Sequence, residues 1–289
     1  MATLLDGSAT AREIRAEIGV QCAALERETG VRPRLDVILV GEDPASVTYV
    51  RMKQKACAAA GMGSEIHALP TDASQTHVLD LIANLNNNIH VHGILVQHPV
   101  PAHLNEQEIL DAVHPAKDVD GISSESLGRL LTGIRGFRPC TPKGIVRLLD
   151  RYEVPLKGKT AVVIGRSIIL GKPAALLLLE RHATVTICHS RTQELDQICR
   201  SADILVAAIG KAEFVKGDWV KPGACVIDAG YNRVEGKDHD VGDVDFAAAS
   251  ERAAWITPVP GGVGPMTIAM LMENTVEAAR LAAGSRDNA

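Results

Sequence analysis

Residues 41–61, GEDPASVTYVRMKQKACAAAG, hold the most chemically suggestive spacing in the chain. Ser46, Tyr49, Val50, Lys53 and Cys57 fall at i, i+3, i+4, i+7 and i+11, on one face of a helix. Asp43 can cap that helix, Pro44 suits its first turn and Gly61 its stop. An aromatic and a lysine on an otherwise apolar face form a candidate pair for proton chemistry, because a buried ammonium is costly without a partner. The same pattern also suits a lysine whose stem packs while its amine reaches water. Tyr-x-x-x-Lys is the signature of short-chain dehydrogenases too. There the pair follows the cofactor loop within one domain, whereas Tyr49 precedes Gly165 by more than a hundred residues. Chain order excludes that reading.

A second candidate site begins where the apolar run 160–164 meets GRSIILGKPAALLLLE. A glycine directly after a strand, followed by a helix, can turn backbone N–H groups and a helix N-terminus toward a phosphate. Gly165 and Gly171 do not make G-x-G-x-x-G, since Ser167 and Leu170 occupy the other two positions. The loop alone therefore fits an ordinary strand–helix turn equally well. The next strand, TVTIC, ends in His189-Ser190-Arg191-Thr192 and lacks the acid that takes a ribose 2′-hydroxyl in NAD enzymes. Arg166, Ser190 and Arg191 would instead suit a 2′-phosphate, which favours NADP over NAD. A solvated loop arginine is the alternative.

Three further loops could line a ligand. GILVQHPVP (93–101) ends a strand with Val96, Gln97 and His98 at the carboxyl edge, where parallel sheets hold ligands. PAKDVDGI (115–122) sets Asp118 and Asp120 around a valine, and acids so placed also serve as turn caps. ITPVPGGVGPMT (256–267) is stiffened by proline and opened by glycine, so its backbone can lie close to a flat ligand.

The elements needed to position these residues are those of a two-domain α/β protein. Strands are expected at 34–40, 65–69 and 93–97, with helices near 9–28, 44–60, 74–86 and 104–112. After a helix at 141–152, further strands are expected at 160–165, 184–188, 203–210, 225–230 and 255–259. A final helix covers about 265–283. The length of 289 residues suits two domains, and 46% hydrophobic residues suffice for a core in each.

Composition narrows the partners. Thirty Lys+Arg against 35 Asp+Glu give a net charge of −5, and aromatics make up only 3% of the chain. With no basic stripe and few rings to stack on bases, nucleic acid is not an expected partner. The six cysteines form no C-x-x-C or zinc-ligand spacing, so reduced thiols and no metal site are expected. The opening MATLLDGSATAREIRAEI has acids and no apolar core, and the uncharged run 253–272 is broken by prolines and glycines. Neither a targeting segment nor a membrane helix is expected, which points to a cytoplasmic protein.

Taken together the chain resembles the bifunctional methylenetetrahydrofolate dehydrogenase/cyclohydrolase family. The resemblance is carried, in order, by VGEDPASVTYVRMKQKA, ILVQHPVP, PAKDVDGI, RPCTPKGI, VVIGRSIILGKP, CHSRT, GDVDF and TPVPGGVGPMT. It implies a folate-binding catalytic domain over 1–140, with the terminal helix 265–289 packing back on it. It also implies a Rossmann-like NADP domain over 141–264, an active site in the cleft between the two, and a homodimer. Lys53 corresponds to the family's general acid/base, Tyr49 to the tyrosine that stacks on folate, and Gln97 to the glutamine that orients the lysine amine. Asp120 matches the acid that grips the amino-pyrimidine edge of the pterin. Val50, Val96 and His98 adjoin these in the substrate site, as do Pro260, Gly261, Gly262, Val263 and Gly264. Gly165, Arg166, Ser167, Ser190, Arg191 and Tyr231 fall on or beside the NADP positions.

The implied activity is oxidation of methylenetetrahydrofolate followed by hydrolysis of the methenyl product. A free lysine, with a pKa near 10.4, is a poor base at neutral pH, and partial burial beside a cation would make it a better one. The chain departs from the family pattern at His98 (usually leucine), Ile168 (usually asparagine), and Ala229 and Tyr231 (usually aliphatic). Those changes keep open a dehydrogenase without hydrolase activity, with NAD as the alternative cofactor. A folate- or nucleotide-binding protein without catalysis is the other alternative, though binding alone does not require the amine of Lys53. Arg166→Ala is expected to reduce the preference for NADP, read as the ratio of initial rates with NADP and NAD; an unchanged ratio removes Arg166 from the phosphate site.

Overall fold

The structure, a computed structural model, describes residues 2–236 and 239–286. The chain opens with β1 (Thr3–Leu4) and α1 (Gly7–Thr29). Next come β2 (Arg34–Val40), α2 (Pro44–Ala59), β3 (Gly63–Leu69), α3 (Gln75–Asn87), β4 (Gly93–Val96), α4 (Glu106–Asp111) and α5 (Ser124–Thr132). The second series is α6 (Cys140–Arg151), β5 (Thr160–Ile164), α7 (Gly171–Glu180), β6 (Thr184–Cys188), α8 (Leu195–Arg200) and β7 (Ile204–Ala207). It ends with β8 (Cys225–Asp228), α9 (Phe246–Ser250), β9 (Trp255–Ile256) and α10 (Val263–Arg286). Two compact units result. One joins Arg12–Arg138 to the segment from Ile268 onward; the other joins Pro139–Thr267 to the segment ending at Ala11.

In the first of these units, three parallel strands lie in the order β3-β2-β4. RLDVILV is apolar at almost every position because β2 is central and buried on both faces. Ile38, Val40, Ile94 and Val96 pack against Val78, Ile82 and Leu85 of α3 and Ile109 and Leu110 of α4. Asp36 interrupts the run yet is fully buried, a position tolerable only with partners. Arg34 provides them, donating from Nε and one Nη to the two Asp36 carboxylate oxygens at 2.7 and 2.8 Å. The long α10 adds Ala279 and Ala283 to Leu25 and Val31. Its Asn274 donates to the Val119 and Arg138 carbonyls at 2.7 and 3.3 Å.

The second unit is a six-stranded parallel sheet in the order β1-β9-β8-β7-β5-β6. From β5 the chain moves outward to β6 and then returns to the other side of β5 with β7. The strand order therefore reverses between β5 and β7, and ligands of open α/β sheets bind at the carboxyl ends of such a pair. Val162, Ile164, Leu205, Ala207 and Val226 fill one core face with Cys188, Cys199, Val244 and Ile256.

Several observed elements differ from the sequence expectation. Thr3–Leu4 is too short to read as a strand, yet Thr3 N–H donates to the Ala254 carbonyl at 2.7 Å and Leu5 N–H to that of Ile256 at 2.9 Å. These bonds place the segment through Ala11 with Pro139–Thr267, whereas the sequence reading set all of 1–140 in the other body. The runs 203–210 and 255–259 are strand only over Ile204–Ala207 and Trp255–Ile256, because the residues beyond them turn. No helix among the described residues is long and apolar enough to cross a membrane.

Leu205 lies wholly buried in β7. Leu205→Ala is expected to lower stability by about 2–5 kcal/mol, read as a shift of the denaturant midpoint at unchanged slope.

Candidate active site

The helix that carries Tyr49 and Lys53 is set by its own sequence. The Asp43 carboxylate accepts the Ser46 N–H at 2.8 Å, Pro44 occupies the first turn, and Gly61 follows the helix with φ +77°. Val50, Ser46 and Cys57 are buried, whereas Tyr49 and Lys53, one turn apart, are half-buried. The lysine is therefore neither a surface charge nor a sealed one. Its Nζ donates to Oε1 of Gln97 at 2.9 Å.

Gln97 comes immediately after β4, at the carboxyl edge of the three-stranded sheet, and is only 9% exposed. Its Nε2 donates to the His98 carbonyl at 2.8 Å. With the amide nitrogen committed there, the amide oxygen must face the lysine, so the side chain has one orientation. Cys57, one turn beyond Lys53, has its thiol pushed up to about 12 by burial, so it stays protonated.

The 115–122 loop brings Asp120 to the same place. Asp118 is buried and accepts from the N–H groups of Gly121 and Ser123 at 3.0 Å, of Ile122 at 3.4 Å, and from Ser126 Oγ at 2.6 Å. It builds the turn. Asp120 remains half-buried, with one carboxylate oxygen 3.8 Å from His98 Nε2. Lys53, Gln97, His98 and Asp120 are thus connected through short contacts, and Val96 lies buried at the end of β4 beside Gln97. The arrangement offers a flat ligand a proton carrier and a carboxylate suited to paired N–H donors.

The second unit supplies a cradle. Gly165 has φ +137°, and a Cβ there would overlap the Ala208 carbonyl oxygen that follows β7. A Cβ on Gly171 would overlap the Gly165 carbonyl in turn. The two glycines let the loop fold flat across the switch point, although they do not match the common fingerprint. Ser167 Oγ accepts the Gly171 N–H at 3.2 Å, so this hydroxyl helps begin α7. Arg166 is exposed, as are Ser190 and Arg191. The turn carrying the latter two is closed by the His189 N–H to Thr192 Oγ1 bond at 2.9 Å and by the Arg191 N–H to His189 Nδ1 bond at 3.2 Å. Tyr231 is exposed and its hydroxyl donates to Asp240.

The glycine-rich segment begins where β9 ends. Pro260 and Gly264 are exposed, Gly261 is half-buried with φ +104°, and Gly262 and Val263 are buried. The Gly261 carbonyl accepts the Ser8 N–H at 2.8 Å, and a Cβ on Gly7 would overlap the Gly262 carbonyl. That close approach explains the pairing of Gly7 with two consecutive glycines.

Residues with no assigned role in the sequence reading also shape this unit. Asp243 Oδ2 accepts from the N–H groups of Ile209 and Gly210, at 2.5 and 2.9 Å, and its Oδ1 from that of Lys211 at 2.8 Å. Asp228 accepts the N–H groups of Gly230, Asp243 and Val244, each at 2.9 Å. Burial pushes the Asp228 carboxyl up to about 6 against those donors. The signal was the pair of acids in GDVDF and IDAG, buried beside turns whose amides need acceptors.

One further cluster, Asp36, Glu65 and His67, has ligand atoms within 4.8 Å of one another. The Arg34 guanidinium already pairs with Asp36 at 2.7 Å and Glu65 at 2.6 Å, so the carboxylates are matched by a protein cation.

Comparison with known proteins matches the chain to two family models in succession. The family model described as tetrahydrofolate dehydrogenase/cyclohydrolase, catalytic domain, matches residues 5–120, and that of the NAD(P)-binding domain matches residues 139–283. The bifunctional protein FolD of Moorella thermoacetica is 56% identical over 279 residues, which cover 96% of this chain and 99% of that protein. Among solved structures, the bifunctional FolD enzyme of Campylobacter jejuni superposes with a TM-score of 0.95 at 47% identity, covering 97% of this chain and 99% of that one. The Trypanosoma brucei enzyme, complexed with NADP cofactor and an inhibitor, gives 0.93 at 39% identity, covering 97% and 98%. With both domain models matched and relatives above half identity over nearly its whole length, the chain belongs to the tetrahydrofolate dehydrogenase/cyclohydrolase family.

Proposed function

We propose that this protein oxidises 5,10-methylenetetrahydrofolate to 5,10-methenyltetrahydrofolate with NADP and hydrolyses that product to 10-formyltetrahydrofolate. The observation that carries the reading is the 2.9 Å hydrogen bond from Lys53 to an orientationally fixed Gln97. Family membership supplies the substrate class. Residues 5–120 would hold the folate, and residues 139–283 the dinucleotide.

The residues present suit NADP. A Cβ would fill the loop at Gly165 and Gly171, so both positions leave room for close backbone approach, and Arg166, Ser190 and Arg191 can meet a 2′-phosphate that a carboxylate would repel. Bound NADP supplies the hydride acceptor. In the folate site, Asp120 would accept two N–H bonds from the amino-pyrimidine edge, and Tyr49 would cover the pterin ring. Val50 and Val96, both buried, would back Lys53 and Gln97 from the core.

In the hydrolytic half, water attacks the methenyl carbon, and the amine of Lys53 takes the proton that the water loses. The same group returns that proton to the pterin N5 as the C–N5 bond breaks, while the hydroxyl of the water adduct gives up its remaining proton to solvent and becomes the carbonyl of the formyl group on N10. Gln97 keeps the amine pointed at this exchange. Hydride transfer itself needs positioning rather than a proton carrier, so the two activities depend differently on Lys53.

The six cysteines are free and buried among the described residues, which agrees with a cytoplasmic setting. A homodimer of this family would find an open edge at β6, where Ile187 is 42% exposed. The formyl product would serve one-carbon transfer, including purine biosynthesis.

Lys53→Ala is expected to retain substantial NADP reduction with methylenetetrahydrofolate while methenyl hydrolysis falls by about 10²-fold or more. Absorbance of the methenyl intermediate follows both steps: it should rise and then fall only at its uncatalysed rate. Normal decay in the variant would remove Lys53 from the proposed role.

A further inference from the structure

We infer that Asp243 is a positioning residue for the dinucleotide: its carboxylate ties together two turns at the carboxyl edge of the six-stranded sheet and so sets the affinity for NADP. This rests on the NADP-linked oxidation proposed above. Asp243 is wholly buried, so its side chain cannot touch a bound cofactor and acts only through other residues.

The carboxylate stands between the turns that follow β7 and β8. Its Oδ2 accepts from the Ile209 and Gly210 N–H groups at 2.5 and 2.9 Å, and its Oδ1 from the Lys211 N–H at 2.8 Å. The same Oδ1 accepts from Asn232 Nδ2 at 3.0 Å, in the turn after β8. Gly230 of that turn packs so closely that a Cβ there would overlap the Asp243 carboxyl group. Backbone bonds deliver the acid to this place. Val215 N–H donates to the Asp243 carbonyl at 2.9 Å, and Asn232 and Val241 exchange N–H bonds at 2.8 and 2.9 Å.

Both turns lie where the sheet takes ligands. Ala208 opens the first, and its carbonyl is the group that a Cβ on Gly165 of the glycine loop would overlap. Tyr231, exposed, lies in the second. The first turn flanks the reversal of strand order between β5 and β7, the position at which open α/β sheets bind nucleotides. Without its anchor this turn samples other conformations, and binding has to order it again at a cost in affinity. Bound NADP restores the geometry, so hydride transfer keeps its rate: KM rises and kcat does not fall. Asparagine matches aspartate in size but has one oxygen, and its NH2 group would face the N–H donors of one turn or the other.

The test measures the Kd for NADP by isothermal titration calorimetry on the full chain without folate. KM and kcat for NADP are then read in the oxidation of methylenetetrahydrofolate. Asp243→Asn should raise Kd and KM about tenfold, with kcat held within about twofold. Asn232→Leu removes a single donor, keeps the backbone pair with Val241, and should raise both about two- to threefold. Leu205→Ala, which thins the core behind β7 but removes no polar group, should lower stability and leave the Kd unchanged. If Asp243→Asn does not fold, Asn232→Leu decides by the same comparison. Unchanged NADP affinity in the folded variants, or an equal loss in Leu205→Ala, overturns the role of Asp243. A wild type that binds NADP but does not reduce it with methylenetetrahydrofolate overturns the proposed function instead, and the calorimetric comparison still decides on Asp243.

Discussion

In the reaction proposed here a lysine amine both takes and releases a proton, so it can neither be left to solvent nor be sealed in hydrocarbon. The 2.9 Å bond from Lys53 to Gln97 resolves that conflict, and the surrounding sequence serves it. Capping at Asp43 fixes the start of α2, which places Lys53 on the face bearing Val50 and Cys57. The end of β4 at Val96 delivers Gln97 to the sheet edge, and the His98 carbonyl allows its amide only one orientation. An amide is the right acceptor here because it holds the amine without donating a charge. A carboxylate in its place would favour the ammonium and work against a base.

The nucleotide-type unit depends on a different constraint, the space available to the backbone. Its loop at Gly165–Gly171 crosses the switch point so closely that side chains at either glycine would collide with main-chain oxygens. Opposite demands arise nearby, where turns after β7 and β8 leave several amides without strand partners. Asp243 and Asp228 satisfy these as acceptors inside the protein. Carboxylates can serve as scaffolding in this way because each oxygen accepts more than one N–H.

Much of this was legible in the residues themselves. The 3.6-residue spacing of Ser46, Tyr49, Val50 and Lys53 specified the helix and its face, and Asp43 and Pro44 marked its start. Val96, Gln97 and His98 were recognisable as the end of a buried strand. The contact between His98 and Asp120 was not, because it joins two loops whose meeting depends on tertiary packing. The role of Asp118 as turn scaffold, and not a second ligand group, emerged only from its four donors. The strand at Thr3–Leu4 was illegible for a related reason: two residues carry no periodicity, and their partner lies some 250 residues away, at Trp255–Ile256.

That last pairing has a consequence for how the molecule is made. The earliest strand to leave the ribosome hydrogen-bonds to β9, the latest, and the Val119 carbonyl waits for Asn274 in α10. One unit therefore lacks a strand until β9 has been made, and the other lacks a helix until α10 has been made. The first unit to start is thus interrupted by most of the other, so neither follows the usual order in which an amino-terminal domain is finished before the next begins.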